Sequence, residues 1–277
     1  MPELPEVECV RRALAQSIIG RKVVGVRVRR RDFVTGPSDR EHLLVGQRIA
    51  AVERRGKQLA VVGDRGGAIV LHLGMTGRLL VRDAKDSRRT LKHVHVEWVL
   101  ADTNRGDDIE LLFQDARRFG GVWTFDDVGA VHDRWARELG PDGLRVTGAQ
   151  LRAALGASKR AVKAALLDQR AVAGVGNIYA DEALFAAAIS PRRIAKRVTS
   201  EEWALLARSI RATLRKAIRC GGSTLRDYAM PDGAGGEYQR RHLVYGRGGE
   251  ACTHCGETLR TAQVGQRTTV WCPKCQK

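Results

Sequence analysis

The sequence predicts an α+β protein of two domains: an N-terminal helix with an eight-stranded antiparallel β-sandwich or barrel, then a helical domain ending in a cysteine-bearing β-hairpin. Three observations carry this. Apolar residues recur at helical spacing near the start, short β-like runs fill residues 22–127, and helical spacing returns beyond residue 140 before two Cys-x-x-Cys pairs. A length of 277 residues provides a core for each domain.

Leu4, Val7, Val10, Leu14 and Ile18 stand three and four apart, which predicts a helix over 5–19 with one apolar stripe, ended by Gly20. Eight β-like runs follow, at 24–28, 49–52, 58–62, 68–73, 78–81, 93–100, 109–113 and 122–125. Gly, Asp and Arg turns separate them, as in an antiparallel sandwich or barrel. The polar stretch 83–92 reads as a mobile loop. The β pattern stops around Leu139-Gly140-Pro141, placing the domain boundary at 130–145. Beyond it, Thr147 and Ser158 are candidate helix caps, and Ala161, Val162, Ala165 and Leu166 carry helical spacing into Asp168-Gln169-Arg170. Gly174-Val175-Gly176 interrupts the pattern. Asn177 is the expected N-cap of a helix over 178–188, and a further helix runs from Ser200 to Cys220. Residues 221–250 are rich in glycine and predict a long flexible loop.

The charge is unusual. The net value is +17, and residues 145–277 alone hold 23 Lys and Arg against 10 Asp and Glu. That excess points to a polyanion, nucleic acid before membrane, because no basic amphipathic stretch stands alone. No run of about 18 apolar residues occurs, and acids stand where a signal peptide would be basic and then apolar. A cytoplasmic protein without a membrane partner is expected.

Cys252-x-x-Cys255, a gap of 16 residues, and Cys272-x-x-Cys275 have the spacing of a closed four-cysteine zinc site on a β-hairpin. A redox dithiol is the competing reading. His254 between the ligands should face solvent, and Cys9 and Cys220, without partner motifs, should be small buried residues. Arg267 on the hairpin either grips phosphate or is an ordinary surface cation.

At the other end, Met1-Pro2-Glu3-Leu4-Pro5-Glu6-Val7 has a small second residue, so removal of Met1 would expose a secondary amine. An α-amino group has a pKa of roughly 7.7–8.0, which leaves much of it uncharged and nucleophilic near neutral pH. Glu3 and Glu6 put carboxyls beside it. The alternative is a terminus without chemistry. Gly174-Val175-Gly176-Asn177-Ile178-Tyr179 opens a helix with uncovered N–H groups suited to a DNA phosphate, with Lys159, Arg160 and Lys163 as nearby cations. Met75 in Leu71-His72-Leu73-Gly74-Met75-Thr76-Gly77 and Phe119 in Asp115-Ala116-Arg117-Arg118-Phe119-Gly120-Gly121 are either wedges for a base stack or core residues.

Together these motifs, in this order along the whole chain, resemble the formamidopyrimidine-DNA glycosylases, bacterial enzymes that remove 8-oxoguanine and ring-opened purines. The resemblance implies a base-excision glycosylase and abasic-site lyase acting on double-stranded DNA as a monomer in the bacterial nucleoid, with one structural zinc and no organic cofactor. It divides the chain into a catalytic β-sandwich domain (1–135), a helix-two-turn-helix domain (136–222), a lesion-recognition loop (223–244) and a zinc finger (245–277). By position it implies Pro2 as the nucleophile and Schiff-base residue, Glu3 as the acid and Glu6 as a further catalytic carboxyl. Lys57, in Arg55-Gly56-Lys57-Gln58, would contact phosphate and assist β-elimination, and Arg267 would grip phosphates and assist δ-elimination. Met75, Arg117 and Phe119 would fill the void left by the extruded base, with Arg117 pairing to the orphaned cytosine. His72, His93, Lys159, Asn177 and Tyr179 fall at DNA-backbone positions, Glu182 lies near the lesion, and Ser223, Thr224, Leu225, Arg226, Asp227 and Tyr228 fall in the lesion-capping loop. Two alternatives are a relative that prefers oxidised pyrimidines and a non-catalytic zinc-ribbon nucleic-acid-binding protein. Leu4, the Met75, Arg117 and Phe119 set and the long 221–250 loop argue against the first. The second leaves Pro2, Glu3 and Lys57 unexplained.

Overall fold

The computed structural model describes residues 2–86, 91–102, 106–224, 231 and 235–277. The chain forms two compact units. The first takes Pro2, residues 6–137 and residues 221–236, and the second takes residues 3–5, 138–220 and 237–277.

In the first unit, α1 (Leu4–Ile18) buries Val7, Val10, Leu14 and Ile18 on one stripe, each at most 1% exposed. It stops before Gly20, whose φ of +84° favours glycine. The strands β1 (Lys22–Val28), β2 (Val34–Thr35), β3 (Ile49–Arg55), β4 (Gln58–Gly63), β5 (Ala68–His72), β6 (Gly77–Asp83), β7 (Val94–Ala101), β8 (Ile109–Asp115) and β9 (Gly121–Phe125) form two sheets. Their orders are β1-β7-β8-β6 and β2-β9-β5-β4-β3. One hydrophobic core joins them: Trp98 and Phe113 from the first sheet meet Leu59, Val61, Ile69 and Leu71 from the second, together with the apolar stripe of α1. Each large side chain so buried contributes about 1.5–3 kcal/mol.

All eight predicted strands are present, but the unit has a ninth among the described residues. β2 is two residues long and pairs in parallel with β9, so it exists through that tertiary contact and has no alternation of its own. Helix α2 (Val128–Glu138) was not among the predicted elements and lies between the last β-like run and the first predicted helix. Asp127 Oδ1 accepts the Ala130 N–H at 2.9 Å, a helix start, and Val131 and Trp135 are buried. Of the predicted loop 83–92, residues 87–90 lie outside the described residues.

The second unit contains α3 (Gly148–Leu155), α4 (Val162–Leu166), α5 (Asn177–Ala186), α6 (Ser200–Arg219), β10 (Arg260–Val264) and β11 (Arg267–Trp271). Thr147 caps α3 and Thr199 caps α6, each in a reciprocal capping box, with Gln150 and Glu202 respectively. Ser158 caps no helix; its hydroxyl accepts the Arg160 N–H within a turn. The hairpin β10-β11 is closed by Gly265 and Gln266, with φ of +59° and +61°. Such left-handed pairs match the twist of two-residue hairpins. Among the described residues, no helix is long and apolar enough to cross a membrane.

Candidate active site and zinc hairpin

Pro2 is buried, and the chain behind it is held at once. Leu4 donates its N–H to Gly174 O at 3.1 Å, while Glu3, 2% exposed, accepts from Ile178 N at 2.9 Å and Tyr179 N at 3.4 Å. The first N–H groups of α5 therefore end on a carboxylate, where the positive end of the helix favours negative charge. Two expectations are corrected here. Asn177 is not an N-cap: Gly176 holds that position without a side-chain bond, and the Asn177 amide donates to Thr268 O at 3.2 Å. Nor are the N–H groups of Ile178 and Tyr179 uncovered for phosphate, because Glu3 occupies them. Gly176 is required for this approach, since a Cβ there would sit 2.3 Å from Glu3 Cδ.

Glu6, 1% exposed, accepts the Ser223 N–H at 2.8 Å, which ties α1 to the start of the 223–236 segment. Thr224 Oγ1 accepts the Gly236 N–H at 2.7 Å and closes that segment at its neck. Leu225, Arg226, Asp227 and Tyr228 lie outside the described residues.

Lys57 is 8% exposed in the tight turn between β3 and β4, beside Gly56 with φ of +55°. Arg54 braces this turn, donating to Gly56 O at 3.1 Å and to Glu8 Oε2 at 2.9 Å. Burial opposes ionisation of Glu8, but hydrogen bonds from Arg11, Arg12 and Arg54 outweigh it and hold its pKa at about 2. His72, half-buried at the end of β5, is pushed below the usual histidine value by burial and then by the charges of Lys57 and Arg134. His93 is exposed, with φ of +63°.

Met75 is half-buried and Phe119 is 53% exposed, so Phe119 is not core filling. The Arg117 guanidinium lies 4.7 Å from the Phe119 ring centroid, a cation–π contact. Asp115, fully buried, accepts hydrogen bonds from the Thr76 hydroxyl and the N–H groups of Arg117 and Gly120, and so shapes the turn that carries them.

In the second unit, Lys159 and Arg267 are exposed. Lys163 is not a surface cation: it is wholly buried, 2.7 Å from Asp181, and also donates to Thr269 Oγ1 at 2.7 Å and Thr268 O at 3.1 Å. Asp181 in turn accepts the Val270 N–H at 3.2 Å, so the pair fastens β11 to α4 and α5. Burial lowers the Lys163 pKa and raises that of Asp181 to about 7. The Tyr179 ring is 1% exposed, which leaves no side-chain surface for DNA. Glu182 is likewise buried. Its carboxylate accepts the N–H groups of Leu243, Val244 and Tyr245 at 2.9–3.1 Å, making it an anchor for that loop. That loop presents Tyr245, which the sequence reading passed over. Burial and then the Glu3 charge raise the Tyr245 pKa, and Asn177 and Arg267 are among its other electrostatic neighbours. Gln169 was also missed; it braces the Gly174-Val175-Gly176 turn by accepting from Gly174 N at 2.8 Å and donating to Val175 O at 2.8 Å.

The sulfurs of Cys252, Cys255, Cys272 and Cys275 all lie within 4.8 Å of one another. Zinc–sulfur bonds of about 2.3 Å in a tetrahedron put sulfurs about 3.8 Å apart. The observed Cys252 to Cys275 and Cys255 to Cys272 separations, 4.0 and 3.5 Å, fit that geometry. Backbone N–H groups of His254 and Cys275 point at the Cys252 and Cys272 sulfurs, each at 3.4 Å. The four thiolates hold one structural zinc, with no position left for water. His254 is exposed as expected, although its ring packs 4.7 Å from Phe185. Cys9 is buried, whereas Cys220 is only half-buried at the end of α6.

Fold and site together define the class: an α+β protein with a Pro-Glu terminus fixed on a helix start and a zinc hairpin at the other end. Family models match along the chain: the formamidopyrimidine-DNA glycosylase N-terminal domain over residues 1–122, its H2TH domain over 139–229, and a zinc finger found in FPG and IleRS over 249–277. The formamidopyrimidine-DNA glycosylase of Xanthomonas campestris pv. campestris (strain B100) is 44% identical over the full length of both chains. A mutant Lactococcus lactis FPG, solved with a Fapy-dG containing DNA, superposes with a TM-score of 0.89 at 33% identity over 100% of each chain. The wild-type Lactococcus lactis protein bound to an oxidised-pyrimidine containing DNA gives 0.87 at 32% identity, again over 100% of each. The chain belongs to the formamidopyrimidine-DNA glycosylase family.

Proposed function

We infer that this protein is a base-excision-repair DNA glycosylase that removes oxidised purines from duplex DNA and cuts the strand at the resulting abasic site. The observation that carries the residue assignment is Glu3, fixed on two backbone N–H groups of α5 immediately after Pro2. With Met1 removed, the Pro2 secondary amine attacks the sugar C1′ as the C1′–base bond breaks, and loses its proton; the nitrogen lone pair then expels the ring oxygen O4′, which takes a proton from Glu3, leaving a ring-opened C1′ iminium ion. The iminium acidifies the C2′ proton; its loss expels the 3′ phosphate, and a second elimination expels the 5′ phosphate. Glu3 is the acid–base carboxyl beside the amine. Lys57 and Arg267 bind the phosphates that leave, as charge-assisted donors. Asn177, His72, His93 and Lys159 hold the strand, and Met75, Arg117 and Phe119 enter the space of the extruded nucleotide. In this reading residues 1–135 form the catalytic domain, 136–222 the helix-two-turn-helix domain, 223–244 the lesion loop and 245–277 the zinc finger. The protein acts in the cytoplasm, on nucleoid DNA.

A second lesion class merits testing because a relative has been solved with an oxidised-pyrimidine containing DNA. The deciding experiment traps the protein with borohydride on duplexes carrying 8-oxoguanine opposite cytosine or an oxidised pyrimidine, then maps the adduct by mass spectrometry. The expected adduct is at Pro2, stronger with the purine lesion, and sharply reduced in Pro2→Gly at nearly unchanged duplex binding. An adduct elsewhere, or tight binding without one, would refute the amine mechanism.

A further inference from the structure

We propose that Asp115 is the positioning residue that makes Met75, Arg117 and Phe119 act as one probe of the DNA, through a carboxylate that itself never meets DNA. The inference rests on the functional reading above and concerns only the first unit.

A fully buried carboxylate is costly unless its oxygens are satisfied. Here Oδ1 takes the Thr76 hydroxyl at 2.5 Å and the Arg117 N–H at 3.3 Å, and Oδ2 takes the Gly120 N–H at 2.8 Å. Thr76 Oγ1 also receives the Arg117 N–H at 3.2 Å, so the Thr76 turn and the Arg117 turn share acceptors. The backbone of Asp115 adds two links, its N–H to His93 O at 2.9 Å and its C=O to His95 Nε2 at 2.7 Å.

Steric contact reinforces the hydrogen bonds. A Cβ on Gly74 would lie 2.3 Å from Phe119 C, and one on Gly120 would lie 2.5 Å from His72 O. The two turns press backbone to backbone, and Arg118 is held at a φ of +56°, a conformation that needs such support. Met75 on one turn and Arg117 with Phe119 on the other therefore move together. Insertion of the wedge and reading of the opposite base become one event. Asp115→Asn keeps the shape but turns one acceptor into a donor, which loses either the Gly120 N–H bond or the Arg117 N–H bond and, in the second case, makes the Thr76 hydroxyl accept where it now donates.

The test measures kcat/KM on duplexes with 8-oxoguanine opposite each of the four bases, for a double-mutant cycle of Met75→Ala and Phe119→Ala. The cycle is run in the wild-type, Asp115→Asn, Thr76→Val and Thr76→Ser backgrounds. In wild type the two losses should fail to multiply, differing from their product by about threefold or more. In Asp115→Asn and Thr76→Val that coupling should fall to near unity, and the spread across opposite bases should shrink roughly fivefold. Thr76→Ser, which keeps the hydroxyl, should restore both. Melting temperature separates positioning from folding: if Asp115→Asn melts far lower, the Thr76→Val and Thr76→Ser pair decides. Unchanged coupling and spread in a normally melting Thr76→Val overturns the proposal. A wild type that cleaves lesions without any coupling also overturns it. A wild type that cleaves no lesion refutes instead the functional reading beneath it.

Discussion

Glu8 keeps its charge in a largely buried position because Arg11, Arg12 and Arg54 all hydrogen-bond its carboxylate. Its pKa of about 2 lies below the ordinary 4.5, so this stabilisation is complete above pH 4.5 and is lost as pH falls toward 2. Glu8→Gln is expected to cost about 2 kcal/mol at neutral pH and to flatten the stability profile across that acid window. Urea titrations at a series of pH values would show it; an unaltered acid slope would mean that other carboxylates set it. The same network reaches the turn that holds Lys57, so a residue chosen for packing also orients a candidate catalytic cation. Single residues were the least legible part of the sequence. Lys163 has the composition of a phosphate ligand, and only its three-dimensional neighbours Asp181 and Thr269 show it to be an internal bolt. Asn177 has the chemistry of a cap, but Glu3, far away in sequence, reached the helix amides first. The four zinc cysteines announced themselves through their spacing, because that motif is local.

At the scale of elements, the zinc hairpin has little apolar material of its own. Its cluster of Phe185, Val244, Leu259 and Val270 packs around Cys252 and Cys272, and Lys163 with Asp181 ties β11 down. Metal binding is then part of the folding free energy of this element. A strong chelator should release about one equivalent of zinc and raise amide exchange in 249–277 by orders of magnitude, while the sheets of the first unit keep their protection. Binding to a lesion duplex should weaken at least about tenfold as Arg267 loses its support. Full retention of exchange protection after metal loss would show that the hairpin stands on packing alone. Strands were legible wherever alternation ran for four or more residues. β2 was not, because a two-residue parallel pairing leaves no periodic trace, and α2 was not, because only Val131 and Trp135 of its eleven residues are buried, too few to show a stripe.

For the molecule as a whole, the net charge of +17 makes association with a polyanion strongly dependent on salt. The affinity for a lesion duplex, followed by fluorescence anisotropy between about 50 and 200 mM salt, should fall with a log–log slope steeper than about −3, each phosphate neutralised contributing about −0.9. A slope flatter than about −1 would show that few cations meet phosphate. Architecture was legible at this scale because charge, periodicity and cysteine spacing are each sums over many residues, and they survive local surprises. Long-range closure was not. The bond from Ile178 to Glu3 joins positions 175 apart, and it sets an order of events during synthesis. At about 5–20 residues per second, the helix that captures Glu3 leaves the ribosome roughly 10–35 s after the terminus does. During that interval the helix amides that hold Glu3 in the folded chain do not yet exist. Emergence of α5 then closes that interval, and the N-terminal segment is fastened by residues made well past the middle of the chain.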